Sequence, residues 1–249
     1  MGKYITSISA VFFLTTSLIA QDATEIIRKA DEKTRGKITA YSEFTISIVR
    51  PKWTREMSLK SWSKGEDYSL ILLTAPAKEK GAAFLKRKKE VWNWIPSIER
   101  TIKLPPSMMS QSWMGTDFTN DDLVKESSQV YDYVHTIKGD TILEGRNCYK
   151  ILLTPKPDAA VVWGKIITYI DSVDYIQLRA EMYDEDDFLV NIINSSEIKE
   201  MGGQLLATQM EMIPVEKDGH KTILTMKEMV FDKPIADNFF TTRNMKKVK

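Results

Sequence analysis

The clearest structural signal lies in residues 82–104, AAFLKRKKEVWNWIPSIERTIKL. Short runs rich in aromatic and branched aliphatic residues are separated there by turn signals at Lys88-Lys89 and Pro96-Ser97. Because such runs bounded by turns are typical of strands, we predict strands over residues 82–88, 90–95 and 98–104. Strands joined by turns this short pair with antiparallel neighbours, so the stretch predicts an antiparallel meander.

The same pattern recurs on both sides of this stretch. Alternating apolar and polar residues between turn signals predict strands wherever they occur. Further strands are expected over residues 44–49, 57–62, 68–73, 131–137, 148–154, 165–171, 175–183, 188–199, 205–213 and 221–231. The expected fold class is therefore mainly β with a few helices, in one continuous domain, since no low-complexity linker divides the chain.

Helical signals are few. Over residues 22–35, Ile26, Ile27 and Ala30 share one face, acidic residues come early and basic residues come late. This is the pattern of an amphipathic helix whose charges match its dipole. A glycine follows directly, as is common at helix ends. A single helical turn is also expected over residues 235–242, ahead of a basic tail.

The strand rhythm breaks between Pro105 and Glu126. Residues 119–124, TNDDLV, have the form of a capped helix start, so we expect one or two short helices that interrupt the sheet. The Met and Trp residues of this segment suit a movable lid over an apolar cavity, because methionine adapts its shape to varied acyl chains. Ordinary packing of a helix on a sheet is the alternative.

Tryptophan and methionine are abundant, with six Trp and twelve Met in the chain. Trp92 and Trp94 lie two positions apart on a predicted strand and therefore face the same side of the sheet. Side chains of this kind suit the wall of an apolar cavity. The candidate ligand-binding residues of the cavity and its lid are Trp62, Trp92, Trp94, Met108, Met109, Trp113, Met114 and Phe118.

Charge and composition exclude several classes of function. The 249 residues include 35 basic and 34 acidic side chains, for a net charge of +1, whereas a general nucleic-acid binder needs a basic excess. Cys148 is the single cysteine, which rules out an intramolecular disulfide and argues against a zinc site. With only two histidines as well, neither a metal nor a cofactor is expected.

Familiar catalytic motifs are absent from the sequence, among them GxSxG, the P-loop, GxGxxG, HExxH and CxxC. His135 and Cys148 could meet across a hairpin, but a half-exposed histidine and a buried apolar cysteine are the simpler interpretation. We therefore expect no catalytic residue and no enzymatic activity.

Oxygen ligands gather at Asp117, Asn120, Asp121 and Asp122. Calcium prefers such ligands, yet their spacing does not match an EF-hand loop. Asp and Asn are also the residues that helix N-termini favour, so capping is the simpler interpretation.

The first residues have the form of an export signal. Lys3 supplies a positive start, residues 5–19 are mostly apolar, and Ala20 precedes a cleavage point. The apolar run is short for a membrane-spanning helix of roughly 20 residues. We expect a cleavable signal peptide over residues 1–20, a mature domain over residues 21–249 and a periplasmic location. Gln21 stands where a lipoprotein signal has cysteine; an uncleaved N-terminal anchor is the alternative.

Residues 112–124, SWMGTDFTNDDLV, resemble a signature of the outer-membrane lipoprotein-sorting protein family, the LolA-like group. Other segments agree with that family in the same order. These are residues 62–65, 70–71, 75–81, 91–100, 163–166, 183–185 and 202–203. The resemblance covers most of the mature chain, and it is closest to the broader, uncharacterised branch of the group.

The resemblance implies a single curved, incompletely closed antiparallel β-barrel with helices covering its open side. It also implies a periplasmic carrier or chaperone that binds acyl chains of lipoproteins or lipids in an apolar cavity for transfer to the outer membrane. An inner-membrane exporter and an outer-membrane acceptor would then be its partners.

Two other functions stay open. One is a lipid-acting enzyme that uses calcium at Asp117, Asp121 and Asp122, although the sequence offers no nucleophile and base to support it. The other is a non-catalytic envelope adaptor, in which the apolar interior is only a core.

Overall fold

The computed structural model describes residues 22–125 and 128–249. Within these ranges the alternating runs form thirteen strands of one antiparallel sheet. The strands are β1 (Thr39–Arg50), β2 (Trp53–Lys64), β3 (Tyr68–Ala75), β4 (Ala83–Arg87), β5 (Glu90–Ile95), β6 (Arg100–Leu104), β7 (Tyr133–Leu143), β8 (Arg146–Pro155), β9 (Lys165–Asp171), β10 (Gln177–Tyr183), β11 (Leu189–Met201), β12 (Gln204–Pro214) and β13 (Lys221–Phe231). Each predicted strand has its counterpart, and the mainly β class is confirmed.

The sheet is one meander with a single long-range closure. Its order is β6-β5-β4-β3-β2-β1-β13-β12-β11-β10-β9-β8-β7, so β1 pairs with β13 at the centre. The two edges, β6 and β7, are neighbours in the chain but do not pair with each other. The predicted incompletely closed antiparallel barrel is therefore confirmed, and the β6–β7 connection has to cross the gap between the edges.

In the described part of the chain, two α-helices flank the sheet. The first, α1 (Ala23–Arg35), begins at Asp22, whose side chain accepts a hydrogen bond of 2.9 Å from the Thr24 N–H. It ends at Gly36, which has φ +69°, a left-handed value that glycine adopts without strain. The second, α2 (Thr242–Met245), is short and follows a 3₁₀ turn at Asp237–Phe239. The long helix is thus confirmed, and the predicted C-terminal turn continues into α2.

Two apolar clusters fill the concave face of the sheet. The first inner cluster belongs to the β1–β6 half; its buried residues are Phe44, Ile46, Ile48, Met57, Leu59, Ile71, Leu73, Phe84, Val91, Leu104, Met109, Trp113 and Val124. The second inner cluster belongs to the β7–β12 side; its buried residues are Ala23, Ile26, Ile27, Phe118, Val130, Tyr133, Ile151, Leu153, Trp163, Ile166, Ile170, Ala180, Met182, Ile193 and Met212. Both clusters include residues of the β6–β7 connection, which therefore forms part of the interior.

An outer cluster covers the convex face of β2–β5. The C-terminal segment runs across this face and inserts Phe240 and Met245, both almost fully buried. Those side chains pack on Leu70, Leu72, Ala83 and Leu85 and on the half-buried rings of Trp62, Tyr68, Trp92 and Trp94. The Tyr68 and Phe240 ring centroids lie 5.4 Å apart. The segment after β13 is thus an integral layer of the fold.

We predict that Phe240→Ala lowers the free energy of unfolding by about 3–5 kcal/mol, because it leaves a cavity between the tail and the sheet. The measurement is urea unfolding followed by tryptophan fluorescence. The matched control is Phe188→Ala at a residue that is 68% exposed, which should stay within about 0.5 kcal/mol of the wild type. A loss at Phe240 no greater than that of the control would contradict the role given to the tail.

Candidate functional site

A cavity of about 350 Å³ lies inside the barrel, between the concave face, α1 and the β6–β7 connection. Its wall is mostly apolar. Inward-facing side chains of β9–β13 contribute Ile166, Ile193, Leu206, Met210, Leu224 and Met226. Replacing water by hydrocarbon against an apolar surface of this kind lowers the free energy of the system.

One end of the cavity is formed by α1 and the adjacent strand ends, and we call it the mouth. Helix α1 lies across these strand ends: the Gln204 amide donates to the Lys33 carbonyl at 3.1 Å, and the Lys29 ammonium lies 3.3 Å from the Tyr175 hydroxyl. Polar residues of α1 line this end, among them Asp31 and Arg35, whose side chains pair at 2.8 Å. The mouth therefore combines charged and apolar groups.

Serines face the cavity where β1 and β2 approach the mouth. Ser42 and Ser61 stand opposite each other in the β1–β2 register, and Ser63 stands opposite Ala40. All four line the cavity. Further along β1, the inward-facing residues are the bulky Phe44, Ile46 and Ile48, which fill the interior. The smaller serines leave this space open.

A cluster of polar residues lies toward the other end of the strands, near the start of β7 and β9. The Trp163 Nε1–H donates to one Asp122 oxygen at 2.9 Å, and the Thr119 N–H donates to the other at 2.8 Å. The Thr119 hydroxyl accepts from the Asp122 N–H at 3.1 Å, which completes a reciprocal helix cap. The predicted helix start at Thr119 is thus confirmed, and a short π-helical turn follows over Asp121–Lys125.

Burial changes the acidity of these groups. The surrounding protein shields the Asp122 carboxylate from bulk water, which raises its pKa above the ordinary value, although the Thr119 and Trp163 hydrogen bonds oppose the shift. Burial also raises the pKa of Tyr133, and the nearby Asp121 and Asp122 charges add to that effect. Nearer the mouth, burial raises the pKa of Glu66, which accepts a 2.9 Å hydrogen bond from Ser128.

The β6–β7 connection is fastened to the sheet at Asp117. Arg50 donates to both of its carboxylate oxygens, at 2.9 and 3.1 Å, and the Thr222 hydroxyl donates to it at 2.7 Å. Both side chains of the ion pair are at most 10% exposed. Close by, the Trp113 ring is buried 5.4 Å from the Phe84 ring. The middle of the connection is therefore held by a charged clamp and an aromatic contact.

Of the predicted ligand-binding residues of the connection, Phe118 lines the cavity. Met109 and Trp113 are buried in the first inner cluster, and Met108 and Met114 pack against it. These four lie in the interior beside the cavity rather than on its wall. Their packing is that of helix-like segments on a sheet, which was the alternative interpretation of the pattern.

The expected place of Trp62, Trp92 and Trp94 in the cavity is corrected by the structure. Trp92 and Trp94 do share a face, as their spacing predicts, but that face is the convex one. The neighbouring Val91 faces inward and belongs to the first inner cluster. The three tryptophans serve the outer cluster because the C-terminal segment covers them.

Sequence reasoning missed most of the cavity wall. The missed residues are the inward aliphatic side chains of β9–β13 and the serines of β1 and β2. Two signals point to them: alternating Ile and Met in the later strands, and Ser42, Ser61 and Ser63 at positions that alternation assigns to the interior.

The acidic residues of 117–122 make contacts that stabilise the local structure. Asp117 binds Arg50, Asp122 caps a helix, and Asp121 pairs with Lys125 at 3.0 Å. Among residues 22–125 and 128–249, no three His, Cys, Asp or Glu side chains are grouped as a metal site requires. The helix-capping interpretation of Asp122 is confirmed.

His135 and Cys148 do not form a pair. His135 stands opposite Leu153 in the β7–β8 register, whereas Cys148 stands opposite Thr141. The His135 ring contacts the Thr24 hydroxyl and the Gln129 carbonyl, at 3.1 and 2.7 Å. Cys148 is buried, and burial raises the pKa of its thiol. The histidine thus links α1 to the β6–β7 connection.

No helix in the described part of the chain is long and apolar enough to cross a membrane. The predicted signal peptide, residues 1–20, lies outside the described residues.

Comparison with known proteins identifies a family and related folds. A protein-family model described as an uncharacterized protein matches residues 65–247. No curated protein matches the chain.

Three solved structures share the fold over 90% of this chain. A DUF1329 family protein from Desulfovibrio piger is 24% identical, with a TM-score of 0.81 and 97% of its own chain covered. A putative outer membrane lipoprotein-sorting protein domain from Vibrio parahaemolyticus is 19% identical, with a TM-score of 0.79 and 98% covered. The LolA superfamily protein NE2245 from Nitrosomonas europaea is 23% identical, with a TM-score of 0.79 and 99% covered. The LolA-like fold is confirmed.

We predict that Asp122→Asn weakens the pH dependence of stability. Because the pKa of Asp122 is raised in the folded state, the folded protein binds this proton more tightly than the unfolded chain. The resulting stability is fully present below the ordinary pKa of aspartate and is lost as the pH rises through the raised pKa. Urea unfolding at pH 7 and pH 5 should therefore show a larger gain on acidification for the wild type than for Asp122→Asn.

Asp218→Asn is the control for this experiment, because Asp218 is exposed on the loop between β12 and β13. It should show the same gain on acidification as the wild type. Equal gains in all three proteins would contradict the assigned environment of Asp122.

Proposed function

The chain belongs to this family of uncharacterized proteins with the LolA-like fold, and we propose that it is a periplasmic carrier or chaperone for acyl chains. In this proposal the apolar cavity shields the chains of lipoproteins or lipids during transfer to the outer membrane. The observation that carries it is a cavity of about 350 Å³ with a mostly apolar wall.

The physical requirement for such a carrier is modest. Each CH₂ group removed from water contributes about 0.8 kcal/mol, so an apolar cavity binds an acyl chain without any catalytic group. Binding must also be reversible, which a movable cover provides because ligand affinity then depends on its position. No enzymatic step enters this proposal.

The cover consists of α1 and the part of the β6–β7 connection that lines the cavity. From the connection, Phe118, Leu123 and Gln129 face the cavity; from α1, Ile27 and Ala30 do so. The clamp at Asp117 holds the connection beside Phe118, so movement is left to α1. Polar contacts of Thr24, Lys29 and Lys33 join the helix to the rest of the fold.

Location and partners follow from the same role. Residues 1–20 would direct export and be removed, leaving residues 21–249 in the periplasm. Lipid or lipoprotein would arrive from an inner-membrane exporter and leave to an outer-membrane acceptor.

The proposal predicts that the mature protein, purified from the periplasm without detergent, carries bound lipid at near-unit occupancy. Native mass spectrometry followed by lipid extraction measures it. If the protein is bare and also fails to take up a fluorescent fatty acid, the carrier function is excluded.

A second prediction concerns the cavity itself. Ser61→Trp places an indole in the cavity and should weaken uptake of a fluorescent fatty acid by at least about tenfold, a cost of about 1.4 kcal/mol. Ser58→Trp is the matched control, because Ser58 lies on the opposite face of the same strand and does not line the cavity. Uptake that is equally reduced in both variants would indicate general destabilisation and would contradict this site.

A further inference from the structure

We infer that the ligand is a single-chain amphiphile, such as a fatty acid or a lysophospholipid, with its chain in the cavity and its polar end at the mouth. This inference rests on the proposed function and deepens it by naming the class of ligand. It follows from the volume of the cavity, from the polar groups at its two ends and from the cost of an unshielded chain.

The volume admits one chain. A protein cavity of about 150 Å³ accommodates benzene, which has six carbons, so a cavity of about 350 Å³ accommodates roughly fourteen carbons by the same measure. That is the length of one ordinary acyl chain. The two chains of a phospholipid, or the three of a triacylated lipoprotein, exceed this volume.

Polar groups limit the apolar space at both ends. The β1–β2 register places Ser63 beside the turn that follows β2, at the mouth. Tyr133 and Trp163 lie at the start of β7 and just before β9, toward the opposite ends of the strands. Asp122 joins them there through its bond with Trp163. The apolar wall therefore lies between two polar regions.

The polar end of the ligand fits the mouth. Asp31, Lys33, Thr34 and Arg35 of α1 line the cavity there and are half-buried or exposed, so a headgroup beside them keeps contact with water. The hydroxyl of Ser42 makes no hydrogen bond to another described residue, although the side chain is only 8% exposed. An ester or carboxyl oxygen of the ligand beside Ser42 would accept a hydrogen bond from the Ser42 hydroxyl. The acyl chain would then continue toward Ile193 and Met226.

A second chain would have no place. Each CH₂ group left in water forfeits about fourfold in the binding constant that burial would supply. A carrier holding one chain of a two-chain lipid would leave the other against water, whereas the chain of a single-chain amphiphile is shielded over roughly fourteen carbons.

The test uses the delipidated mature protein and probes that differ in the number of acyl chains, with one pair, lysophosphatidylglycerol and phosphatidylglycerol, matched in headgroup. These are palmitic acid, palmitoyl lysophosphatidylglycerol, dipalmitoyl phosphatidylglycerol and a synthetic triacylated lipopeptide. Native mass spectrometry gives stoichiometry, and displacement of a fluorescent fatty acid gives relative affinity. Both single-chain probes should bind one to one and at least about tenfold more tightly than the others. Comparing the first two separates a carboxylate headgroup from a phosphate.

Chain length supplies a second readout. For saturated fatty acids of increasing length, affinity should rise about fourfold per CH₂ and level off near roughly fourteen carbons. Leu224→Ala removes three carbons from the wall and so enlarges the cavity, which should move this plateau to chains about three carbons longer. Leu152→Ala is the matched control: Leu152 is a half-buried leucine of β8 that does not line the cavity, so its plateau should stay unchanged.

The outcomes separate the two proposals. If the two-chain or three-chain probes bind one to one as tightly as palmitic acid, the single-chain inference is wrong and the carrier function stands. A plateau that fails to appear, or that Leu224→Ala leaves in place, also overturns the inference. If no probe binds, both the ligand class and the carrier function fall.

Discussion

The arrangement of this protein depends on one topological constraint: the sheet curls on itself but its edge strands, β6 and β7, do not pair. Because these strands are consecutive in the chain, the connection between them must cross the concave face. Its apolar residues then complete both inner clusters, from Trp113 on one side to Phe118 on the other. The β6–β7 connection thus fills part of the barrel interior, and its position determines where the cavity remains.

The remaining space has a local cause on the sheet. Where β1 and β2 carry bulky inward residues such as Ile46 and Leu59, the interior is packed. Where they carry Ser42 and Ser61, it is open to the cavity. Polar fastening keeps the connection from collapsing into that space, since the Arg50–Asp117 clamp holds it over the packed half. A cavity in a protein interior persists only when rigid neighbours prevent such relaxation.

Local pattern was enough to anticipate the strands, α1 and the helix cap at Thr119, because these follow from neighbouring side chains. It was not enough to assign faces. The alternating pattern around Trp92 and Trp94 is the same whether these residues face a cavity or an outer layer. Which face they occupy depends on the C-terminal segment, which is distant in sequence and covers them. Met109 and Trp113 illustrate the same limit, since abundance of soft side chains does not distinguish a core from a cavity wall.

The sequence by itself determined the class of the fold, the succession of strands along the chain and the break between β6 and β7. Alternation, turn residues and caps are encoded within a few positions of one another, and each acts through short-range sterics and hydrogen bonds. Only the tertiary structure decided which inward positions meet a packed cluster and which meet open space. That outcome depends on how the closure between β1 and β13, the crossing of the connection and the placement of α1 divide one concave volume, and no single segment contains that information.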